Sequence, residues 1–150
     1  MTRDDTRKAM SIDHIGVDLW QASRAFEEAM FEALVAKGYD DVTTADGDVL
    51  VYVGPDGTRS TAIAKSRRIT KQAATEQVQR LVRRGYLELR PDPADGRARL
   101  VVLTDRGEAM MLDLVSIKRA LNARVTRVLG AQDANRLRQV LGQVRDALSS

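Results

Sequence analysis

Lys71, Gln72 and Thr75 share one face in the opening turns of a segment, Thr70 to Arg84, that reads as an amphipathic helix. Side chains of these types at this spacing can meet base edges in a DNA major groove. Gln suits adenine, Lys suits guanine O6 or N7, and a Thr methyl suits thymine. Just upstream, Lys65, Arg67 and Arg68 cluster at a helix junction, where point charges are better placed to touch phosphates than bases. Thr70 is expected first as the helix N-cap, with a phosphate contact as a second role. The following segment, Leu87 to Leu103, alternates apolar and charged residues around Pro91-Asp92-Pro93-Ala94-Asp95-Gly96, turn material that no helix accommodates. It reads as a basic two-stranded hairpin, which can reach the minor groove beside a groove-entering helix.

The remaining residues of this stretch have other assignments. Arg80, Arg83 and Arg84 fit a solvated helix surface as well as they fit a DNA contact. Glu76 would repel phosphate, so a pair with a nearby Arg is expected ahead of a bond from cytosine N4. Ile63, Ile69, Ala74, Val78, Leu81 and Leu87 are assigned to packing. No catalytic constellation is formed: Asp13-His14 has no nucleophile beside it, and no phosphate-binding glycine loop, metal motif or nucleophile elbow occurs. The absence of cysteine excludes disulfides, thiol redox sensing and thiolate metal sites, and a single histidine argues against a transition-metal site. Neither an enzyme, a cofactor nor a metal is expected. His14 is expected at the surface or a dimer interface, where it could act as a pH-sensitive group.

Charge separates along the chain although the total is only +3. Residues 1–58 hold 5 Lys and Arg against 12 Asp and Glu, residues 59–106 hold 12 against 5, and residues 107–150 hold 7 against 4. A positive segment that coincides with the groove-reading element is the electrostatic footprint of phosphate binding, whereas the acidic first third would stay off the duplex.

The elements that must position these residues are mostly helical. Ile15, Leu19, Ala22, Phe26, Ala29 and Ala33 predict a helix from about Ser11 to Lys37, closed by Gly38, behind a frayed Met1 to Lys8. Thr44 is the expected cap of a short helix through Val53, Gly54-Pro55-Asp56-Gly57 a turn, and Thr61 the cap of a small helix from Ala62 to about Arg67. After the hairpin, Thr104 should cap a long helix running through Met111, Leu114 or Val115, Leu121, Val125 and Val128 to Gly130. A last amphipathic helix carries Ala134, Leu137, Val140 or Leu141, Val144 and Leu148. Helix, tight turn, second helix and hairpin make a winged helix-turn-helix, in a chain that is mainly α with a small β wing. At 150 residues one domain is expected. No apolar run approaches a membrane span and no signal peptide is recognised, so a soluble, cytoplasmic protein is expected.

Four pieces in this order and spacing resemble the multiple-antibiotic-resistance-regulator (MarR) family of bacterial transcription factors. They are Thr70-Lys71-Gln72-Ala73, Arg84-Gly85-Tyr86-Leu87, Arg90-Pro91-Asp92-Pro93-Ala94-Asp95-Gly96-Arg97 and Leu103-Thr104-Asp105-Arg106-Gly107. The resemblance implies a single MarR-like domain over 1–150, with dimerisation helices at about 11–37 and 104–148 and the winged helix-turn-helix at about 44–103. It also implies a homodimer. It matches Asp95 and Arg97 to the family's Asp-x-Arg motif, in which the Arg enters the minor groove and the Asp braces the hairpin. A narrow minor groove focuses negative potential and attracts a guanidinium, so Arg97 is the residue expected to matter most. Period-two alternation puts Arg99 on the same side, as a second phosphate or groove contact. Ser60 departs from the family, which tends to place an apolar residue there. The family often binds small aromatic or phenolic anions in a crevice between the dimer helices and the winged domain. Trp20 and Arg24 are pocket candidates on that basis, although core or interface packing is the stronger expectation for Trp20, as for Phe26 and Tyr52.

The resulting expectation is a sequence-specific regulator of transcription, a ligand-responsive repressor rather than an activator. A homodimer would read a pseudo-palindromic operator in double-stranded DNA. The competing expectation is a winged-helix module for protein–protein or RNA contacts, with the same basic helix meeting an acidic partner.

Overall fold

Capping chemistry decides where four of the six described helices begin. The computed structural model describes residues 14–149, so the expected frayed segment Met1 to Lys8 lies outside the described residues. Helix α1, Ile15–Ala36, starts after His14, whose extended backbone and Nδ1 acceptor for the Gly16 N–H (3.1 Å) make it the N-cap; the start is therefore later than Ser11. Helix α2, Thr44–Val51, is capped by Thr43 rather than Thr44 and stops short of Val53. Only Thr43 stands three residues before Asp46, so only it can exchange reciprocal bonds with that carboxylate: Asp46 N–H to Thr43 Oγ1, and Thr43 N–H to Asp46 Oδ2.

Strand β1, Thr58–Arg59, feeds directly into α3, Ser60–Arg67, which begins without a side-chain cap and one residue before Thr61. Its direction is set by pairing of Thr58 and Arg59 with a strand of the wing, which the sequence did not announce. Arg68 then adopts a left-handed backbone (φ 54°) and turns the chain into α4, Lys71–Arg83. Thr70 caps α4 by accepting from the Ala73 N–H (3.1 Å). The wing is β2, Leu87–Asp92, and β3, Asp95–Leu103, antiparallel from Leu87 opposite Leu103 to Pro91 opposite Arg99, with a register shift at Pro91/Asp92. Its turn is Pro93-Ala94, shorter than the Pro91–Gly96 stretch expected. Sheet order is β1-β3-β2. Helix α5, Asp105–Leu129, is capped by Thr104, and α6, Ala131–Leu148, follows Gly130.

The core lies within the winged unit and beneath α5. Ile63, Val78, Leu81, Tyr86, Leu87 and Val101 pack with Leu34 of α1, Val49 and Leu50 of α2, and Met110, Leu114 and Ile117 of α5. Each such aliphatic side chain contributes roughly 1.5–3 kcal/mol by leaving water. Ile69, assigned to the core, is only half-buried, and Met110 rather than Met111 makes the deeper contact. Gly107 lets α5 lie against the root of the wing: a Cβ there would sit 2.2 Å from the Tyr86 carbonyl oxygen. Thr104 adds hydrogen bonds to the same segment, from its N–H to Tyr86 O (3.1 Å) and from its hydroxyl to Gly85 O (2.5 Å).

Elsewhere, apolar residues remain bare. Helix α6 buries only Ala134, and Val128 is 81% exposed. Trp20 is 61% exposed and Phe26 and Tyr52 are also open, so none is core in a single chain. Leu19, Phe26, Val125, Leu137 and Leu141 line a groove of about 580 Å³ between α1, α5 and α6. Among the described residues, no helix is long and apolar enough to cross a membrane.

Candidate nucleic-acid interface

Helix α4 buries Ala74, Val78 and Leu81, which turns Lys71, Gln72, Thr75, Glu76, Gln79 and Arg83 to solvent. The structure therefore brings Lys71, Gln72 and Thr75 together at the N-terminal end of one exposed stripe. The Thr75 hydroxyl donates to Lys71 O (2.8 Å), so its proton is occupied by the helix. Gln72 Nε2 donates to Glu76 Oε1 (3.1 Å), which makes Gln72, not an Arg, the partner of Glu76. The expected arginine pair fails because the guanidinium of Arg80, one turn further on, is bound to Asp46 instead. Gln79 lies on the same stripe; its spacing of seven from Gln72 was a usable signal in the sequence.

The basic residues divide sharply. Lys65 and Arg68 are exposed at the turn between α3 and α4. Arg67 is turned inward, with its side chain only 12% exposed, donating to Gln77 Oε1 on α4 and lying 3.7 Å from Asp48. That corrects its assignment as a phosphate contact, because its guanidinium is engaged inside the winged unit. Arg80 and Arg84 keep only about a third of their side chains exposed, and each is engaged within the chain. Both reach Asp46, which is fully buried: Arg80 Nε and Nη2 donate to Oδ1 at 3.1 and 2.6 Å, and Arg84 Nη1 donates to Oδ2 at 3.1 Å. Burial pushes the Asp46 carboxyl upward, but the hydrogen bonds from Arg80 and Thr43 outweigh it and hold the group below the usual carboxylate range. Sequence reasoning missed Asp46, although its spacing from Thr43 marks a capping box.

The wing is anchored at its turn. Asp92 accepts from the Ala94 N–H (2.8 Å) and from Arg59 Nε and Nη2 (2.8 and 2.5 Å). Its carboxyl is held below the usual range, first by the Ala94 N–H and then by Arg59. Asp95 accepts from the Arg97 N–H (3.1 Å) and lies 3.7 Å from Arg59. Arg97 and Arg99 are both exposed on β3, on the same side of the strand. Arg59 and Asp92 were not singled out in the sequence; they are 33 residues apart and meet only because β1 pairs with β3.

A second concave feature lies between α2, the α3–α4 turn and α5. It measures about 420 Å³ and is lined by Asp48, Tyr52, Ser66, Arg67, Arg68 and Lys118. Neither Trp20 nor Arg24 lines it. Arg24 instead stacks on Trp20 (5.5 Å), pairs with Glu28 (2.8 Å) and borders a separate recess with Phe31 and Thr43.

A tight-turned helix pair with a polar face at the start of its second helix, followed by a braced antiparallel hairpin, defines the winged helix-turn-helix class. Residues 40–98 match the model of the MarR family. Apo MarR from E. coli is 25% identical, with 89% of this chain and 98% of that chain covered at a TM-score of 0.69. CouR from Rhodococcus jostii RHA1, bound to p-coumaroyl-CoA, is 23% identical over 88% of this chain and 92% of its own (TM-score 0.67). A MepR mutant from S. aureus, bound to an oligodeoxyribonucleotide, is 18% identical over 91% and 99% (TM-score 0.63). These last two share the fold. No curated protein matches in sequence. Residues 40–98 therefore resemble the MarR family of winged-helix transcriptional regulators, and the chain shares the fold of E. coli MarR.

Proposed function

We propose that this chain is a ligand-responsive repressor that binds a pseudo-palindromic operator as a homodimer in the cytoplasm. The observation that carries the reading is the joint exposure of Lys71, Gln72 and Thr75 at the start of α4 beside a hairpin presenting Arg97 and Arg99. Lys71, Gln72 and Thr75 would read base edges, Lys65, Arg68 and Thr70 would touch phosphates, and Arg97, braced by Asp95, would enter the minor groove. The oligonucleotide-bound MepR structure shares this fold, which supports the DNA reading.

The dimer rests on the bare apolar faces of α1, α5 and α6, within the segments 11–37 and 104–148, with 44–103 as the reading unit. Two recognition helices about one helical turn apart, roughly 34–36 Å, would then enter successive major grooves. The crevice beside Tyr52, with Arg67, Arg68 and Lys118 around it, suits a small aromatic or phenolic anion better than Trp20 and Arg24 do. An anion there would compete with Asp48 for Arg67 and so disturb the bond from Arg67 to Gln77 on α4. Release of DNA would follow from differential binding to the two arrangements.

Selection of bound sequences from random duplex should recover an inverted repeat. Gln72→Ala and Arg97→Ala should each weaken binding to it by about tenfold or more. Unchanged binding by both variants would sink the site assignment. Titrating phenolic acids into the operator complex tests the effector, and insensitivity across the series would make the protein a constitutive binder.

A further inference from the structure

Asp46 is a charged side chain with no exposure and with both oxygens engaged, and base contact by α4 does not use it directly. Its Oδ2 accepts from the Thr43 N–H and hydroxyl at 3.0 Å each and from Arg84, while Oδ1 accepts a two-pronged approach from Arg80. Thr43 and Asp46 make the first turn of α2, whereas Arg80 and Arg84 lie in the last turn of α4 and at its C-cap. One carboxylate therefore closes the start of one helix and grips the far end of the helix that carries Lys71, Gln72 and Thr75.

The apolar contact beneath α4, through Ala74, Val78 and Leu81, attracts without specifying direction. Charge-assisted bonds from a planar guanidinium do specify it. Rotating a helix of about 5–6 Å radius by about 20° carries its surface side chains about 2 Å. That displacement exceeds the tolerance of a hydrogen bond to a base edge, which is a few tenths of an ångström around 2.9 Å. Stability alone would not call for charges here, since well-packed apolar side chains can replace a buried ion pair with no loss.

We propose that Asp46 is a positioning residue for sequence discrimination: through Arg80 and Arg84 it fixes the rotation and height of α4, and so the presentation of Lys71, Gln72 and Thr75. The inference rests on the DNA reading of α4 given above. It assigns Arg80 and Arg84 to the grip on Asp46 and not to phosphate.

The test measures the ratio of affinities for the selected operator and a scrambled duplex, at several salt concentrations, beside thermal melts. Three full-length proteins are compared: wild type, Asp46→Asn, and the combined variant Asp46→Leu, Arg80→Met, Arg84→Met. The combined variant should melt near the wild-type temperature, keep its salt dependence on scrambled duplex, and lose about tenfold or more of the operator preference. Asp46→Asn should lose preference as well, measured at a temperature where its melt shows it folded. A combined variant that folds and keeps the wild-type ratio overturns the inference. So does a salt slope reduced by one or two, which would make the arginines phosphate contacts. If the combined variant does not fold, an unchanged ratio for Asp46→Asn overturns the inference and a reduced one sustains it. A wild-type protein without operator preference overturns the DNA reading and this inference together, whereas a preference retained in the variants overturns the inference alone.

Discussion

The winged unit and the outer helices handle their apolar residues in opposite ways. From α2 to β3, the chain covers Val49, Leu50, Ile63, Val78, Leu81 and Tyr86 with its own atoms, and its deepest carboxylate has every oxygen occupied. Helices α1 and α6 each bury a single residue, Leu34 and Ala134, and leave a broad apolar face open. The reading unit is thus finished within one chain, while the helices around it are shaped for something that one chain does not supply. The two regions should respond differently to the same kind of damage.

The largest effect should come from the open face. Leu137→Asp with Leu141→Asp should halve the mass seen by sedimentation and reduce operator affinity at least 100-fold, while the far-ultraviolet spectrum of the winged unit persists. Loss of all helical signal would break the comparison, because it would mean that the winged unit depends on the outer helices to fold. Next comes Asp46→Ala, which strands two arginines and should cost about 3–5 kcal/mol in chemical denaturation. Because the folded carboxyl lies below its unfolded value, its contribution is complete above the usual Asp range near pH 4 and is lost as pH falls through the lower, folded value. Urea midpoints recorded from pH 7 downward should therefore fall more steeply for wild type than for Asp46→Asn.

A smaller loss is expected for Gly107→Ala, whose methyl group meets the Tyr86 carbonyl; about 1–3 kcal/mol should appear as a lower melting temperature. The smallest effect sharpens the comparison within the reading unit itself. Arg68→Gly relieves a left-handed backbone, so stability should hold or rise by up to about 1 kcal/mol. At the same time the salt dependence of duplex binding should become shallower by about one, separating the charge of Arg68 from its backbone role.

Local chemistry was legible in the sequence and long-range chemistry was not. Thr70, Thr104 and the period of Ala74, Val78 and Leu81 announce themselves because a cap and its partner, or two residues of one helix face, are neighbours in the chain. Arg97 and Asp95 were picked out by the family resemblance and not by local pattern, although their bond spans only two residues. Thr43 in place of Thr44 was also readable, given Asp46 three positions on. What was hidden depends on elements meeting: Arg59 reaches Asp92 only across paired strands, and Arg80 reaches Asp46 across 34 residues. Arg67 looks like Lys65 and Arg68 in sequence. Only the placement of Gln77 and Asp48 turns its side chain inward.

Helix α5 is 25 residues long, about 37 Å at 1.5 Å per residue, and its first turn is locked to the root of the wing by Gly107, Thr104 and Arg106. A shaft keyed so firmly at one end works as a crank. Tilting it by about 5° about its distal end swings the near end by about 3 Å, on the 1.5 Å-per-residue scale of the helix. A small tilt among the outer helices would thus carry the root of the wing through about the spacing of one base pair.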